Sequence, residues 1–575
     1  MIYYVISLLS QIYVDGPILQ AVQENWIYND SKHFVDMPLK THPIDTLQDF
    51  AQLGDRISDK KVLREFLETH FEEPGGELQD CYPADWHANP SSIARIHDRN
   101  YRRWAHALHR IWRDLCRQVT EEVKAHPELH SILYVPNPFI VPGGRFREFY
   151  YWDTYWIIKG LLFSEMYRTA EGVIRNLAYM VDNHGFVPNG GRVYYLLRSQ
   201  PPLLIPMVYD YYIATGNMDF VQQMLPSLEK EYNFWVTQRS RAYSVKGVEM
   251  FRYFQYRVNM KTPRPESYRE DSELTAHLRQ YDEKRAVWSN IASAAETGWD
   301  FSSRWFAQEG EDAFTMRSIR TSQIVPVDLN AFMCANSRIM GSFFEIAGNQ
   351  SKAEFYHRAF QSMKQAMLFM HWNDTDGIWY DFDLGTGRHV NQFYLSNALP
   401  VFARCYSDES GPRTLHKYLS RTGVLNFTKG IPTSLNQLSG QQWDSANSWP
   451  PLVHMVIEGF RTAGDAEMYE VARRLATRWL EISYTSYRTT SHMYEKYNAS
   501  ADNDAARGEG GEYEVQVGFG WTNGVVLDLM GRFASYDEVD HEAIFSLPDI
   551  KEWTRVLLPA VLLFFTGKFI RLHDF

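Results

Sequence analysis

The sequence predicts a single all-α domain that carries long loops. Apolar residues recur every three or four positions over Trp104–Val119 and over Met468–Ile482, the spacing that places them on one buried face of a helix. No alternation of strand and helix patterns runs along the chain, which argues against a doubly wound parallel sheet. No low-complexity linker divides the 575 residues, so we expect one large domain despite the length.

Taken in order, the periodic stretches predict a helix over Trp104–Val119, a helical pair over Ile157–Met166 and Val173–Val181, and a late helix over Met468–Ile482. The turn Asn183–Gly185 ends the pair. Glycine-rich, aromatic segments lie between the helices, and binding residues concentrate on such loops. The segments to search are Val141–Asp153, Asn183–Gln200, Asn373–Leu384, Gln441–Pro451 and Gly508–Gly524.

Composition excludes some classes of function. Lys and Arg number 58 against 70 Asp and Glu, and the net charge is -12. Without a basic block, a nucleic-acid partner is excluded, because such partners are held mainly by cations on phosphates. The 17 Trp, 35 Tyr and 34 Phe either pack the core or form stacking surfaces for sugar rings.

The cysteines and the chain ends bear on location. Four scattered cysteines without a C-x-x-C pair indicate neither a zinc site nor a disulfide scaffold. Met1–Ser10 lacks a basic region and a cleavage site, so it is a poor signal peptide. The apolar stretch Val556–Gly567 is too short to span a bilayer and is interpreted as a buried helix, with membrane attachment left open. Sequons favour an extracellular or membrane-associated location over a cytoplasmic one; they lie at Asn29, Asn349, Asn373, Asn426 and Asn498.

Two carboxylates stand among aromatic residues. Asp300 lies between Trp299 and Phe301, where an apolar wall raises the pKa toward that of a general acid. The alternative is that Asp300 caps a helix starting at residue 302 or 303. Glu495 is followed by Lys496, whose ammonium would keep a general base ionised, although an exposed ion pair between them also fits the pattern.

A third acid and several arginines complete the candidate set. Glu512 follows a glycine pair that either admits a ligand close to the backbone or simply forms a turn. Arginines next to aromatic, Pro or Gly residues could bind sugar hydroxyls through their planar guanidinium groups. Salt bridges to Glu148, Asp153 or Glu266 are the alternative for these arginines, which are Arg145, Arg147, Arg198 and Arg264. Phosphate-loop, zinc-protease and serine-hydrolase motifs do not occur in the sequence.

Together the loops resemble one family. Pro142–Tyr155 (PGGRFREFYYWDTY) and Gln442–Pro451 (QWDSANSWPP) closely resemble the signature segments of the trehalases, which are inverting α,α-trehalose hydrolases. The resemblance continues through Pro188–Pro202 and Arg264–Asp271 and runs in consistent order from about residue 12 to about residue 530. It also takes in the segments Gly298–Asp300, Glu495–Tyr497 and Gly510–Gly524.

The resemblance implies an (α/α)6 toroidal barrel with the sugar pocket at one end. It implies a catalytic domain over 12–540, followed by a C-terminal segment over 541–575 that holds the short apolar stretch. Asp300 matches the family's general acid and Glu495 its general base. The positions that match the substrate pocket are Arg145, Trp152, Asp153, Asn189, Arg198, Ser199, Gln200, Arg264, Glu266, Gly298 and Glu512.

This sequence departs from the family pattern in two places. Ser445 and Ala446 replace an aromatic residue and a proline, which could loosen that loop, and Glu509 interrupts a glycine run. Neither change touches a proposed catalytic atom, so we expect an active enzyme.

The chemistry implied is cleavage of trehalose to two glucose molecules by one acid and one base, without a cofactor or a metal. The alternatives are another inverting glucosidase on the same barrel and a catalytically silent trehalose-binding or sensing protein. The sequence predicts no oligomeric state.

Overall fold

A computed structural model describes residues 2–245 and 248–535 of the chain. The predicted C-terminal segment 541–575, with its apolar stretch, lies outside the described residues, as does the end of the predicted domain 12–540. Helices dominate the described part. They are α1 (Ile2–Tyr13), α2 (Pro17–Glu24), α3 (Ser31–Val35), α4 (Pro43–Leu53), α5 (Lys60–His70), α6 (Ser91–Ala94), α7 (Arg99–Asp114), α8 (Glu121–Ala125), α9 (Asp153–Phe163), α10 (Tyr167–His184), α11 (Leu204–Thr215), α12 (Met218–Gln238), α13 (Tyr268–Leu274), α14 (Tyr281–Glu296), α15 (Val327–Ile346), α16 (Gln350–Met370), α17 (Leu399–Phe402), α18 (Gly411–Arg421), α19 (Pro450–Arg461), α20 (Ala466–Thr490) and α21 (Gly520–Phe533).

The strands are short and pair only antiparallel in the described residues. They are β1 (Leu78–Asp80), β2 (Cys116–Val119), β3 (Phe139–Ile140), β4 (Ser240–Val245), β5 (Val248–Phe254), β6 (Ile324–Val325), β7 (Trp372–Asn373), β8 (Ile378–Trp379), β9 (Phe382–Asp383), β10 (Arg388–His389), β11 (Asn447–Ser448) and β12 (Tyr497–Asn498). The strand order is β1-β2-β3 and β10-β9-β6 in two small sheets, with β4-β5, β7-β8 and β11-β12 as two-stranded pairs.

Over the ranges described, six helices form a closed inner ring. α9 packs against α11, α11 against α15, α15 against α17, α17 against α19, α19 against α21, and α21 returns to α9. Inner helices such as α9 and α15 are buried on nearly every face, whereas outer helices such as α10, α16 and α20 keep an exposed face. The (α/α)6 toroid that the resemblance implied is therefore confirmed.

The ring closes through glycines where its first and last helices meet. A Cβ atom on Gly524 of α21 would lie 1.9 Å from the main-chain oxygen of Trp156 in α9. A Cβ on Gly160 of α9 would lie 2.8 Å from the Cα of Gly524. Only glycine permits this approach of the two backbones, so the sequence fixes the seam of the barrel at these positions.

Most of the predicted helices are confirmed. Val173–Val181 falls in α10, and Ile157–Met166 falls in α9 up to Phe163, where α9 ends three residues earlier than predicted. α10 is followed by Gly185 in the left-handed conformation, as the Asn183–Gly185 turn predicted. Met468–Ile482 lies within α20. The prediction over Trp104–Val119 is wrong at its end, because α7 stops at Asp114 and the chain continues as β2, paired with β1 and β3.

The prediction that the cysteines form no disulfide scaffold is also wrong. Cys81 is bonded to Cys116, and Cys334 is bonded to Cys405. The partners are 35 and 71 residues apart in sequence. The fold brings them together through the β1-β2 pairing and the packing of α15 on α17, which the spacing of cysteines alone does not reveal.

The first helices belong to the packed fold. The stretch Tyr4–Glu24, which contains α1 and α2, is long and apolar enough to cross a membrane by length and composition, and half of its most apolar window is buried inside the protein. Ile12, Ile18 and Leu19 are fully buried there. Burial of this kind is typical of core helices.

Candidate active site

A cavity opens where several inner helices begin. α9 starts at Asp153, α19 follows Trp449 and α21 starts next to Phe519, and all three residues line the cavity. The walls include every predicted site residue except Ser199, namely Arg145, Trp152, Asp153, Asn189, Arg198, Gln200, Arg264, Glu266, Gly298, Asp300, Glu495 and Glu512. Residues far apart in sequence thus converge as the resemblance implied.

Ser199 lies behind the cavity wall. It is fully buried, its main-chain N–H donates to Glu296 Oε1 over 2.9 Å, and its Oγ donates to the main-chain oxygen of Val187 over 2.6 Å. Its neighbour Gln200 does line the cavity and accepts a hydrogen bond from the main-chain N–H of Trp152 over 3.0 Å. Ser199 therefore supports the segment that carries Arg198 and Gln200.

Asp300 faces the cavity and is not a helix cap. The short 3₁₀ turn at Ser303–Trp305 is capped by Ser302, whose Oγ accepts from the N–H of Arg304 over 3.1 Å. The Asp300 carboxyl is left for the cavity. Burial raises its pKa to about 7, with the nearby Glu512 adding to the rise and Arg264 and Arg198 opposing it. Such a carboxyl is substantially protonated at neutral pH, which suits a general acid.

The backbone before Asp300 requires glycine. Gly298 has a φ of +76°, and a Cβ added there would lie 2.7 Å from the indole of Trp152. On the other side, Gln442 donates from Nε2 to the main-chain oxygen of Asp300 over 2.6 Å. The acid is thus held between a tight contact with Trp152 and a hydrogen bond to the segment that follows residue 441.

Glu495 is buried next to a buried lysine, so the alternative of an exposed ion pair is wrong. The two residues are 1% and 0% exposed. Tyr513 donates from its hydroxyl to Glu495 Oε1 over 2.9 Å. Burial raises the pKa of Glu495, and Lys496 and the Tyr513 hydrogen bond oppose the rise. Lys496 therefore acts in the direction the sequence predicted, but burial outweighs it.

The second oxygen of Glu495 is available for chemistry. Oε2 is buried and, among the described residues, has no hydrogen-bond partner. A buried carboxylate oxygen without a donor costs stability. An oxygen in this position is suited to accept a proton from a bound water.

Lys496 ties three loops together beneath the cavity. Its Nζ donates to Gln442 Oε1 over 2.5 Å and to the main-chain oxygen of Gly510 over 2.8 Å. Burial lowers the pKa of Lys496 to about 8, and Glu495 and Asp300 oppose that change. The Gln441–Pro451 segment, the segment of the proposed base and the glycine-rich loop thus share one cation. Gln442 in turn connects this group to the backbone of Asp300.

Asp153 adds a third enclosed carboxyl, in the first turn of α9. Burial raises its pKa well above the ordinary value, and the nearby charges of Glu495 and Asp300 raise it further. A raised pKa favours the protonated form of this carboxyl, which can donate a hydrogen bond to a sugar hydroxyl.

The cavity arginines are salt-bridged, and of the partners predicted for them only Glu266 is found, paired with Arg198. Binding of sugar hydroxyls by these arginines stays a prediction. Arg198 bonds Asn189 Oδ1 over 2.8 Å and pairs with Glu266. Arg264 holds both oxygens of Asp271, over 3.0 and 2.8 Å, and reaches Glu512 Oε1 over 3.1 Å.

The two remaining arginines of the candidate set lie at different cavities. Arg145 pairs with Asp30 over 3.2 Å, and its guanidinium carbon lies 4.8 Å from the centre of the Tyr513 ring. Arg147, in contrast, lies at another cavity, next to Gly75.

The altered second signature still forms a firm wall. Asp444 accepts hydrogen bonds from Ser302 Oγ over 3.0 Å and from the main-chain N–H of Ser303 over 2.7 Å. The rings of Trp443 and Trp449 stack with centroids 3.7 Å apart. Ser445 and Ala446 therefore leave the functional side chains of this loop in place.

Several lining residues were missed from the sequence, and one predicted segment was wrong. The missed residues are mostly aromatic: Phe146, Tyr150, Tyr195, Trp443, Trp449, Tyr513, Phe519 and Trp521. All of these aromatic residues lie in the glycine-rich, aromatic segments selected from the sequence, but no pattern identified them individually. Lys32 reaches the cavity because α3 packs against residues 265–267. No local sequence pattern predicts this position for Lys32. Asn373–Leu384 lies outside this cavity and supplies Asp381, which pairs with the buried Arg304 over 2.7 Å.

Comparisons with known proteins agree with this geometry. The family model described as Trehalase matches residues 26–534. The trehalase of Homo sapiens is 43% identical over 558 residues, covering 96% of this chain and 94% of its own. That of Apis mellifera is 41% identical over 531 residues, covering 91% of this chain and 84% of its own. The solved neutral trehalase of Saccharomyces cerevisiae is similar in fold, with a TM-score of 0.57 and 19% identity over 77% of this chain and 85% of its own.

A helical toroid with enclosed carboxylates in a cavity of aromatic and arginine side chains defines the class of the protein, a glycoside hydrolase. Within that class, the chain belongs to the trehalase family.

Proposed function

We propose that this chain hydrolyses α,α-trehalose to two glucose molecules with inversion at one anomeric carbon. The observation that carries the proposal is the pair of enclosed carboxyls in one cavity. Burial raises the pKa of Asp300 to about 7, and Glu495 presents an oxygen without a hydrogen-bond partner among the described residues. An inverting hydrolase requires one carboxyl to donate a proton and another to accept one.

In the proposed reaction, Asp300 gives its proton to the oxygen that bridges the two sugars. The bond from that oxygen to one anomeric carbon breaks, and its electron pair stays on the oxygen. Glu495 takes a proton from water, whose oxygen bonds to the same carbon from the opposite face. Solvent then returns the proton from Glu495 to Asp300. The arginine and aromatic walls would hold the hydroxyl groups and ring faces of the sugars.

The decisive experiment is glucose release from trehalose by the purified chain. Proton NMR of the earliest products should show one β-glucose and one α-glucose per turnover, because inversion changes only the attacked carbon. Products that were initially almost all α would refute the base role of Glu495. Assays of hydrolysis with a panel of other glucosides show whether trehalose or another disaccharide is the preferred substrate. Trehalose binding without hydrolysis would instead identify the silent binding protein.

We also propose that the chain matures in an oxidising, extracellular or membrane-associated compartment. The support is the two disulfides, since such bonds persist mainly in oxidising environments. Three sequon asparagines, Asn29, Asn349 and Asn426, are exposed. Protein isolated from its source should contain no free thiol at these cysteines and should shift in mobility after N-glycan removal. Four free thiols in that protein would contradict the proposal.

A further inference from the structure

The two oxygens of Glu495 have different surroundings. Oε1 accepts the Tyr513 hydroxyl over 2.9 Å, whereas Oε2 has no partner among the described residues. The catalytic scheme above uses the oxygen without a partner, but it does not say what keeps the other oxygen out of that role. The difference between the oxygens is therefore a further property of this site.

We propose that Tyr513 is a positioning residue that fixes Oε1 of Glu495 and thereby assigns Oε2 as the atom that takes the proton from water. This inference rests on the proposed function. Tyr513 acts through Glu495, because its uncharged hydroxyl donates a hydrogen bond to the carboxylate form of Glu495. Hydrogen bonding to a carboxylate favours ionisation, so the hydroxyl also keeps the base ready at lower pH.

The ring of Tyr513 is held independently of its hydroxyl. The guanidinium of Arg145 lies over it at 4.8 Å, and the ring of Phe146 meets it edge-on at 5.4 Å. Replacing Tyr513 with Phe would keep both contacts and remove only the donor. The hydroxyl titrates far from the working range, because burial raises the pKa of Tyr513 well above its ordinary value.

Charged groups face Glu495 from several elements, and none of them changes in that variant. Lys496 from its own segment and Arg145 from the segment before α9 lower the pKa of Glu495. Asp153 at the start of α9 and Asp300 are the neighbouring acids. Burial raises the pKa of both acids. A change in the titration of Glu495 in the Phe variant can therefore be assigned to the lost hydrogen bond.

The test is the pH profile of kcat/KM for Tyr513→Phe with trehalose. The acidic limb reports ionisation of the base in the free enzyme. Loss of one hydrogen bond to a charged group should move this limb upward by roughly one to two pH units. The alkaline limb, which reports loss of the proton from Asp300, should not move. The pH range in which the variant is active should therefore become narrower at its acidic end only.

A matched control is Tyr380→Phe. Tyr380 is also a buried tyrosine whose hydroxyl donates to a carboxylate, Asp376 Oδ2, over 3.0 Å, but it lies outside the cavity. Its loss should leave both limbs unchanged. A uniform fall in rate at every pH for the Tyr513 variant, without movement of the acidic limb, would mean a merely structural role and would overturn the proposal.

A second variant guards against misfolding of the first. Site-specific incorporation of a ring-fluorinated tyrosine at position 513 keeps the hydroxyl and makes it a stronger donor. The acidic limb should then move in the opposite direction, toward lower pH. If wild-type protein releases no glucose, the proposed function itself fails. If wild type is active and neither variant moves the acidic limb, only the assignment of Tyr513 fails.

Discussion

Gly298→Ala should damage both the fold and the reaction. The backbone has a φ of +76° here, and the new Cβ would lie 2.7 Å from the Trp152 indole. The left-handed conformation costs about 1–2 kcal/mol for a residue with a side chain. Overpacking against a buried ring adds about 1–3 kcal/mol. We therefore expect a loss of about 2–5 kcal/mol in the free energy of unfolding, measured by denaturant titration.

The catalytic effect follows from position. Asp300 is two residues further on, so a shift of Trp152 or of the backbone moves the proposed acid relative to the substrate. Misplacement by about 1 Å can cost ~10²-fold in rate, and we expect kcat/KM for trehalose to fall by about ten- to a hundred-fold.

Gly216→Ala is a control that separates the cost of backbone strain from the cost of the contact with Trp152. Gly216 has a similar φ of +66°, but nothing lies within 4 Å of its added Cβ, and it ends α11 away from the cavity. This variant should lose only about 1–2 kcal/mol and keep its activity. Equal stability and equal kcat/KM for the two variants would refute the reasoning about Trp152.

The remaining predictions concern the proposed chemistry. Asp300→Asn and Glu495→Gln should each lower kcat by about 10²–10⁴-fold with the fold intact by circular dichroism. Their effects should not add in the double variant, since both serve one transition state; near wild-type turnover in either single variant would remove that residue from the mechanism. Arg145, Arg198 and Arg264, each replaced by Lys, should strongly impair hydrolysis, since an ammonium cannot reproduce a guanidinium fork. Normal kinetics in all three would show that the pocket is assigned wrongly. The acid must be protonated and its pKa is about 7, so activity should fall as pH rises through that value. A flat rate from pH 6 to about 9 would contradict this assignment.

Local patterns predicted the helices well where packing agrees with periodicity. They failed after Asp114, where apolar residues continue at helical spacing but pair in a sheet with strands from elsewhere in the chain. A strand that is distant in sequence produces no local pattern in the segment with which it pairs. The disulfides were missed for the same reason.

The residues of the site likewise include some that the sequence predicted and some that it did not. Residues inside long distinctive segments, such as Arg145 and Glu512, were found from the sequence because their segments carry the resemblance. Lys32 was not found, because only the packing of α3 brings it to the cavity. The surroundings of Glu495, including the difference between its two oxygens, depend on a loop near residue 513 and could not be derived from spacing.

The glycine seam between α9 and α21 has a consequence for biosynthesis. During translation the first inner helix leaves the ribosome long before the last one, and N-terminal parts begin to fold first. Until Gly524 reaches Gly160, the ring stays open and lacks the wall that carries Trp521. A nascent or truncated chain without α21 would expose apolar surface to chaperones and proteases and could not process sugar. Every active molecule is therefore one whose synthesis has passed α21.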